Sequence, residues 1–247
     1  MDRALRILDL FSESREILTA SEIASILSTT PATLYPTLYT LKAHGYLSRD
    51  DRKRYRLGLK LLERSGQVLA QLDVRRVAHL HLRELARRWQ VTADLAVLYG
   101  NEVLYLERET GHPTAILSEV VGRRVPLHCT SLGKVLLAHL SDQEQLELIR
   151  SLKLVAYTPH TITEAKRLTA ELSKIRERGY ALDIQEFHLG IACVGAPVRG
   201  YDGRVVAAIS LMLPVDDEIR NHGHEAAAAA VVETAAAISA ELGFTTS

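Results

Sequence analysis

Two sets of residues in this sequence have types and spacings that could do chemistry. The first is a run of cations, Arg49, Arg52, Lys53, Arg54 and Arg56, set around Asp50 and Asp51. Between residues 31 and 60 seven Lys or Arg face two Asp or Glu, a local excess of five positive charges. Cations gathered at the tip of a short ribbon neutralise phosphates and release counterions from a polyanion. The second set is Ser131 beside Leu132, then Asp183, Cys193 and Ser210. A hydroxyl pair, a carboxylate and a thiol can orient one small polar ligand if the fold brings them together. Each also has an ordinary structural role: a solvated hairpin, a strand-end turn, a small core residue, a satisfied strand hydroxyl.

Catalysis and metal binding are weaker readings. Cys129 or Cys193 with His128 or His188 would make a thiol nucleophile, and Ser131 a hydroxyl one. The sequence has no G-x-S-x-G elbow, no H-E-x-x-H and no phosphate-binding Walker loop. The neighbours His128 and Cys129 would point to opposite faces of a strand. A metal site from Cys129, Cys193 and a histidine lacks a close ligand pair. No cofactor and no bound metal is expected.

The elements around the cations suggest what they serve. Thr19 and Glu22 form a T-x-x-E capping box, so a helix begins there, with Ile23, Ala24 and Leu27 at helical spacing. Ser28-Thr29-Thr30 is a polar turn. Leu34, Leu38 and Leu41 mark a second helix that stops at Gly45. The basic ribbon follows, with Tyr46-Leu47 and Tyr55-Arg56-Leu57 paired about the Asp50-Asp51 turn. This is a winged helix-turn-helix pattern, whose second helix would enter a DNA major groove. Ala4, Leu5, Leu8 and Phe11 would close its core from a first helix.

Pro36 falls inside that second helix, where proline costs roughly 3 kcal/mol. Thr33 as the N-cap would put Pro36 harmlessly in the first turn. The outward face is then Ala32, Pro36, Tyr39, Thr40 and Ala43, flanked by Thr33 and Tyr35. It is poor in charge. Base reading would lean on thymine methyls and hydroxyls, and affinity on Arg52, Lys53 and Arg54.

A chain of 247 residues is too long for one such module, and two domains are expected. Apolar residues make up 47% and charged residues 24%, enough to build a core in each. The net charge is zero, but it is divided unevenly. Residues 1–60 carry ten basic and seven acidic side chains; the remaining 187 carry twenty and twenty-three. The positive excess sits with the helix pair. Two cysteines make no disulfide framework, no signal peptide stands out, and no apolar run approaches the ~20 residues of a membrane span. A reduced, cytoplasmic chain is expected, without a membrane partner.

Residues 58–72 read as a helix with Leu59, Leu62, Val68, Leu69 and Leu72 apolar, and no core left for them in the winged domain. An interface role is expected. Asp73 caps a helix over 74–90, with Val77, Leu80, Leu82, Leu85, Ala86 and Trp89 apolar. Strands are expected at 92–99, 102–107 and 114–120, then a loop at 122–126. Helices follow at 131–140, 141–152 and 163–178. Strands at 180–184, 190–197 and 205–213 and a final helix over 222–242 complete the chain.

The segments VPLHCTSLGKVLLAHL (125–140), RGYALDIQEFHLGIACVGAPV (178–198) and GRVVAAISLMLP (203–214) resemble the effector domain of the IclR family of bacterial transcriptional regulators. DRALRILDLF, GYL and YRLGLKLLE match its N-terminal half, so the resemblance spans the chain. It implies an α+β protein with a winged helix-turn-helix domain at 1–57, a linker helix at 58–73 and a GAF-like effector-binding domain at 74–247. It implies homodimers or homotetramers on palindromic double-stranded DNA operators, most often as repressors, under control of a small organic acid. It also implies that Ser131, Leu132, Asp183, Cys193 and Ser210 line the effector site. Acid sensors of the family can carry a second Ser two residues after Ser210. Here Met212 stands there, which favours an effector with an apolar or aromatic part. Three readings remain as alternatives: a metal-responsive regulator, a DNA-binding protein whose second domain only oligomerises, and a thiol or serine enzyme.

Overall fold

The computed structural model describes residues 1–12, 14–70, 72–111, 121–215 and 224–245, apart from the side chains of residues 69 and 70. The chain divides into two compact units, Met1–Gln71 and Leu72–Ser247.

The first unit contains α1 (Asp2–Leu8), β1 (Leu18–Thr19), α2 (Ala20–Ile26), α3 (Pro31–Ala43), β2 (Leu47–Arg49), β3 (Arg54–Leu57) and α4 (Lys60–Ala70). Its core is Ile7, Leu18, Ile23, Leu34, Leu38, Leu41, Leu47 and Tyr55. The capping box forms as its residues demand. The Glu22 amide donates to Thr19 Oγ1 at 3.2 Å, and the Thr19 amide donates to Glu22 Oε2 at 2.7 Å. The ribbon has three strands rather than two, in the order β1-β3-β2, because Leu18 and Thr19 pair with Tyr55 and Arg54.

The start of α3 differs from expectation. Thr30, not Thr33, is the N-cap, with extended backbone and Oγ1 accepting from the Thr33 amide. Pro31 takes the first helical position, where its fixed φ suits the helix and its missing N–H costs nothing. Pro36 therefore lies inside the helix, and the Ala32 carbonyl has no amide at residue 36 to receive. Thr40 Oγ1 donates to the Pro36 carbonyl at 2.9 Å, one turn on.

Two glycines lock the end of α3 to the ribbon and to α4. Gly45 has φ +76° just past the helix. A Cβ on Gly58 would lie 2.0 Å from the Gly45 carbonyl oxygen. The Gly58 amide donates to the Tyr46 carbonyl at 2.8 Å, and the Lys60 amide donates to the Gly45 carbonyl at 3.2 Å. Beyond this junction Leu59, Leu62 and Val68 are 83%, 70% and 58% exposed within one copy of the chain. The side chain of Leu69 lies outside the described residues.

The second unit contains α5 (Asp73–Trp89), β4 (Thr92–Tyr99), β5 (Glu102–Thr110), β6 (Arg124–Pro126), α6 (Ser131–Ala138), α7 (Asp142–Ser151), α8 (Ala165–Arg178), β7 (Ala181–Ile184), β8 (Ile191–Arg199), β9 (Val205–Pro214) and α9 (His224–Glu241). The six strands form one antiparallel sheet in the order β6-β5-β4-β9-β8-β7. Helices accompany an antiparallel sheet, so the class is α+β, and the curled sheet is GAF-like.

Several expectations are corrected here. Leu72, not Asp73, is the N-cap of α5; Asp73 sits in the first turn, where its charge suits the helix dipole, and pairs with Arg76 at 3.3 Å. Leu80 is 70% exposed and Ala78 takes the buried place on that helix. Part of the loop expected at 122–126 is β6, because Arg124–Pro126 pair with β5. The strand expected at 114–120 and the first turn expected for the last helix, 222–223, lie outside the described residues.

The placement of α6 depends on small residues. A Cβ on Gly133 would meet the Leu127 carbonyl oxygen at 2.3 Å and the Leu127 Cα at 2.5 Å. A Cβ on Gly195 would meet Ser131 at 3.1–3.2 Å. Gly133→Ala therefore forces α6 off its seat, an overpacking defect of about 1–3 kcal/mol. Urea unfolding followed by circular dichroism is expected to show that loss in the transition of the second unit, with the first unit unchanged.

Candidate functional site

The sheet and α6 together build a cavity. Ser131 and Leu132 lie at the start of α6, with Thr130 Oγ1 accepting from the Gly133 amide at 3.1 Å. Asp183 on β7 is the register partner of Cys193 on β8, and Cys193 that of Met212 on β9. Ser210 pairs with Gly195 on one side and Asp94 on the other. All six residues singled out in the sequence, Ser131, Leu132, Asp183, Cys193, Ser210 and Met212, line one cavity with about 390 Å³ of empty volume, its open mouth included.

Six further residues line it that sequence reasoning did not single out for this role: Asp94, Tyr105, Thr130, Phe187, His188 and Ile191. Ile191 could have been found, since it shares the strand face of Cys193. Tyr105 could not. The pairing of β4 with β5 slips between Leu95 and Ala96, so Tyr105 opposes Ala96 whereas Glu107 opposes Leu95. That bulge puts Tyr105 and Arg108 on the cavity side and Glu107 on the other. Arg108 grips Asp94 with both nitrogens, Nε to Oδ1 at 2.6 Å and Nη2 to Oδ2 at 2.8 Å.

Beside the cavity lies a buried charge set. Lys134 on α6 is 1% exposed, and its Nζ donates to the Leu182 carbonyl and to Glu186 Oε1. Glu186 Oε2 is buried without a hydrogen-bond partner, and the Glu186 amide donates to Asp183 Oδ1 at 2.7 Å. Burial pushes the Asp183 carboxyl up to about 7; Lys134 opposes that rise and Glu186 adds to it. Burial likewise raises Glu186, against the pull of Lys134.

The alternatives of other chemistry find little support in this geometry. Cys129 is buried, and desolvation pushes its thiol far up, away from the thiolate a nucleophile needs. His128 Nε2 donates to the Val155 carbonyl at 3.0 Å, and burial lowers its pKa. Among the described residues the one group of three His, Cys, Asp or Glu with metal-ligand spacing is His79, Glu107 and Glu109, which contains neither cysteine. There Arg75 already pairs with Glu107.

In the first unit, Ala32, Thr33, Tyr35, Pro36, Tyr39 and Thr40 are all exposed along α3, opposite the buried Leu34, Leu38 and Leu41. Arg52 and Lys53 are exposed at the ribbon tip. Arg54 is different: its Nε and its amide both donate to Asp50, at 2.8 and 2.9 Å, closing the turn. Arg3 was missed. Its Nη1 donates to the Thr33 carbonyl at 3.4 Å, and with Arg6 it lines an open polar groove beside Ser28, Thr29 and Thr37.

Comparison with known proteins decides the family. Residues 66–240 match the family model described as bacterial transcriptional regulator IclR C-terminal, and residues 1–51 match the IclR helix-turn-helix domain. The chain belongs to the IclR family. It is 40% identical over 212 residues to the HTH-type transcriptional regulator XynR of Escherichia coli, covering 85% of this chain and 84% of XynR. An IclR homolog from Microbacterium hydrocarbonoxydans, in complex with 4-hydroxybenzoate, superimposes with a TM-score of 0.85 at 28% identity over 97% of each chain. The Agobacterium tumefaciens repressor BlcR superimposes with a TM-score of 0.59 at 29% identity, over 98% of this chain and 96% of BlcR. As an IclR-family member the chain is a DNA-binding transcriptional regulator. No helix among its described residues is long and apolar enough to cross a membrane.

The Asp183 shift has a consequence for stability. Between its ordinary value of 3.8 and about 7 the folded state holds a proton that the unfolded chain releases. Stability is therefore lost as pH rises through that window. Asp183→Asn removes the titration while keeping an acceptor for the Glu186 amide. Relative to the wild type, the variant is expected to gain roughly 2–4 kcal/mol between pH 4 and pH 8 in urea unfolding.

Proposed function

We propose that this IclR-family regulator is a repressor whose operator binding is set by a small organic acid held at Ser131, Leu132, Asp183, Cys193, Ser210 and Met212. The observation that carries the reading is their convergence. Six residues drawn from one helix and three strands, up to 81 residues apart, line a single cavity. Amides at the start of α6 offer donors for an acid's oxygens. Met212 replaces a hydroxyl with apolar surface, and Leu132 and Ile191 extend it, which suits an aromatic or otherwise apolar body. The 4-hydroxybenzoate complex of the Microbacterium homolog is consistent with that class, and the BlcR likeness with repression.

DNA binding divides into two tasks. The face of α3 with Ala32, Thr33, Tyr35, Pro36, Tyr39 and Thr40 reads bases through methyls and hydroxyls. Arg52 and Lys53 contact phosphates, while Arg54 shapes the hairpin that carries them. The exposed Leu59, just before α4, with Leu62 and Val68 of α4 serves as the pairing surface of a homodimer, the state that a palindromic operator matches. Dimers pair further into tetramers, residues 58–73 act as the linker, and the regulator works in the cytoplasm.

The wing is tested by Arg52→Ala with Lys53→Asn; asparagine is chosen because Lys53 has φ +63°. Specific and non-specific DNA binding are expected to weaken together, and the slope of log affinity against log salt to fall by about 2. An unchanged slope would remove the wing from the phosphate contacts. The sensor is tested by Asp183→Ala in operator binding across an effector titration. The wild type is expected to shift by about 5- to 150-fold. The variant is expected to lose that response while binding free operator as before.

A further inference from the structure

His188 was set aside as a nucleophile's partner, yet it occupies an unusual position in the cavity wall. Its Nε2 is buried and has no hydrogen-bond partner. A buried polar nitrogen without a partner is uncommon and costs free energy, so it calls for a specific explanation. The ring is held in place. It lies 4.2 Å from Phe187, which meets Tyr157 edge-on at 5.0 Å.

Strand register locates the turn that carries this nitrogen relative to the rest of the cavity. Ser210 and Gly195 form one row across the sheet, directly beneath Ser131. Met212, Cys193 and Asp183 form the next row on the same face. Ile191 stands one row further, where β7 has already ended at Ile184. Rows on one face are two residues apart, about 6.6–6.8 Å, so the Ile191 row lies roughly 13 Å along the strand from the Ser131 end. The turn that carries His188 leaves the sheet at that far end. Between the two ends the lining offers Leu132, Met212 and Ile191, which are apolar.

We infer that His188 Nε2 is a specificity-determining contact for an effector that carries a hydrogen-bonding group at the end remote from its carboxylate. The class is an organic acid with an apolar middle and a terminal hydroxyl. The carboxylate meets the amides at the start of α6, the apolar middle crosses Met212, and the hydroxyl bonds His188. A hydroxyl suits either tautomer, since it donates and accepts. This assignment rests on the effector-pocket reading above and adds the far end of the ligand to it.

The test uses two pairs of acids that differ only in the distal hydroxyl. They are 3-phenylpropanoate with 3-(4-hydroxyphenyl)propanoate, and pentanoate with 5-hydroxypentanoate. Each is titrated by calorimetry into the full chain, into Asp183→Ala and into His188→Phe, which keeps a ring against Phe187; His188→Leu substitutes if the Phe variant does not fold. In at least one pair the wild type is expected to bind the hydroxylated acid tenfold or more tightly, because a buried group built to pair rejects the analogue that leaves it unpaired. In the His188 variant that ratio is expected to fall to about one. A wild-type ratio near one, or a ratio the His188 variant leaves unchanged, overturns the His188 assignment and spares the pocket. Binding that Asp183→Ala does not weaken, or no binding of any of the four acids, overturns the pocket reading and this inference with it.

Discussion

The Lys134 side chain lies at a position 1% exposed to solvent, and the second unit is arranged around pairing it there. A buried ammonium is tolerable only with close partners. Leu182 supplies a carbonyl and Glu186 a carboxylate, and both flank Asp183 in the chain. Their reach to Nζ requires α6 to lie close against the sheet. Gly133 permits that approach at Leu127, and Gly195 permits it beneath Ser131. The same closeness brings the first turn of α6 over Cys193, Ser210 and Met212. The ion pair thus sets the roof of the cavity as well as its own stability.

A second buried pair, Arg108 with Asp94, serves the opposite wall. Its bidentate geometry holds Asp94 as a neutralised group. The walls therefore differ in kind. The Asp94 side is a closed ion pair, whereas Asp183 shares Lys134 with Glu186 and keeps a proton near neutral pH. An anionic guest meets less repulsion from a protonated carboxyl than from a carboxylate. A pocket with two aspartates can therefore still suit the organic acid proposed above.

Much of this was legible in the sequence, for reasons that can be located. The capping box at Thr19 and Glu22, the leucines of α3 and the glycine stop at Gly45 are local signals, and local rules decide them. The convergence of Asp183, Cys193 and Ser210 was legible through resemblance, since no spacing rule links residues on separate strands. What failed depended on longer-range choices. Thr30 and Thr33 are equally good caps by type, and the Pro31 that follows Thr30 decided between them. Asp73 lost its cap role to backbone geometry at Leu72. The β5 bulge, the salt bridge that ties Arg54 to Asp50 and the placement of His188 arise only when elements pack.

The contact between Gly45 and Gly58 has a mechanical side. It joins the last turn of α3, both ends of the wing ribbon and the first turn of α4 at one point, through backbone atoms packed too tightly to slide. The reading helix and the wing cannot be adjusted separately from α4. A force applied to α4 turns the helix and the wing together, as one rigid lever.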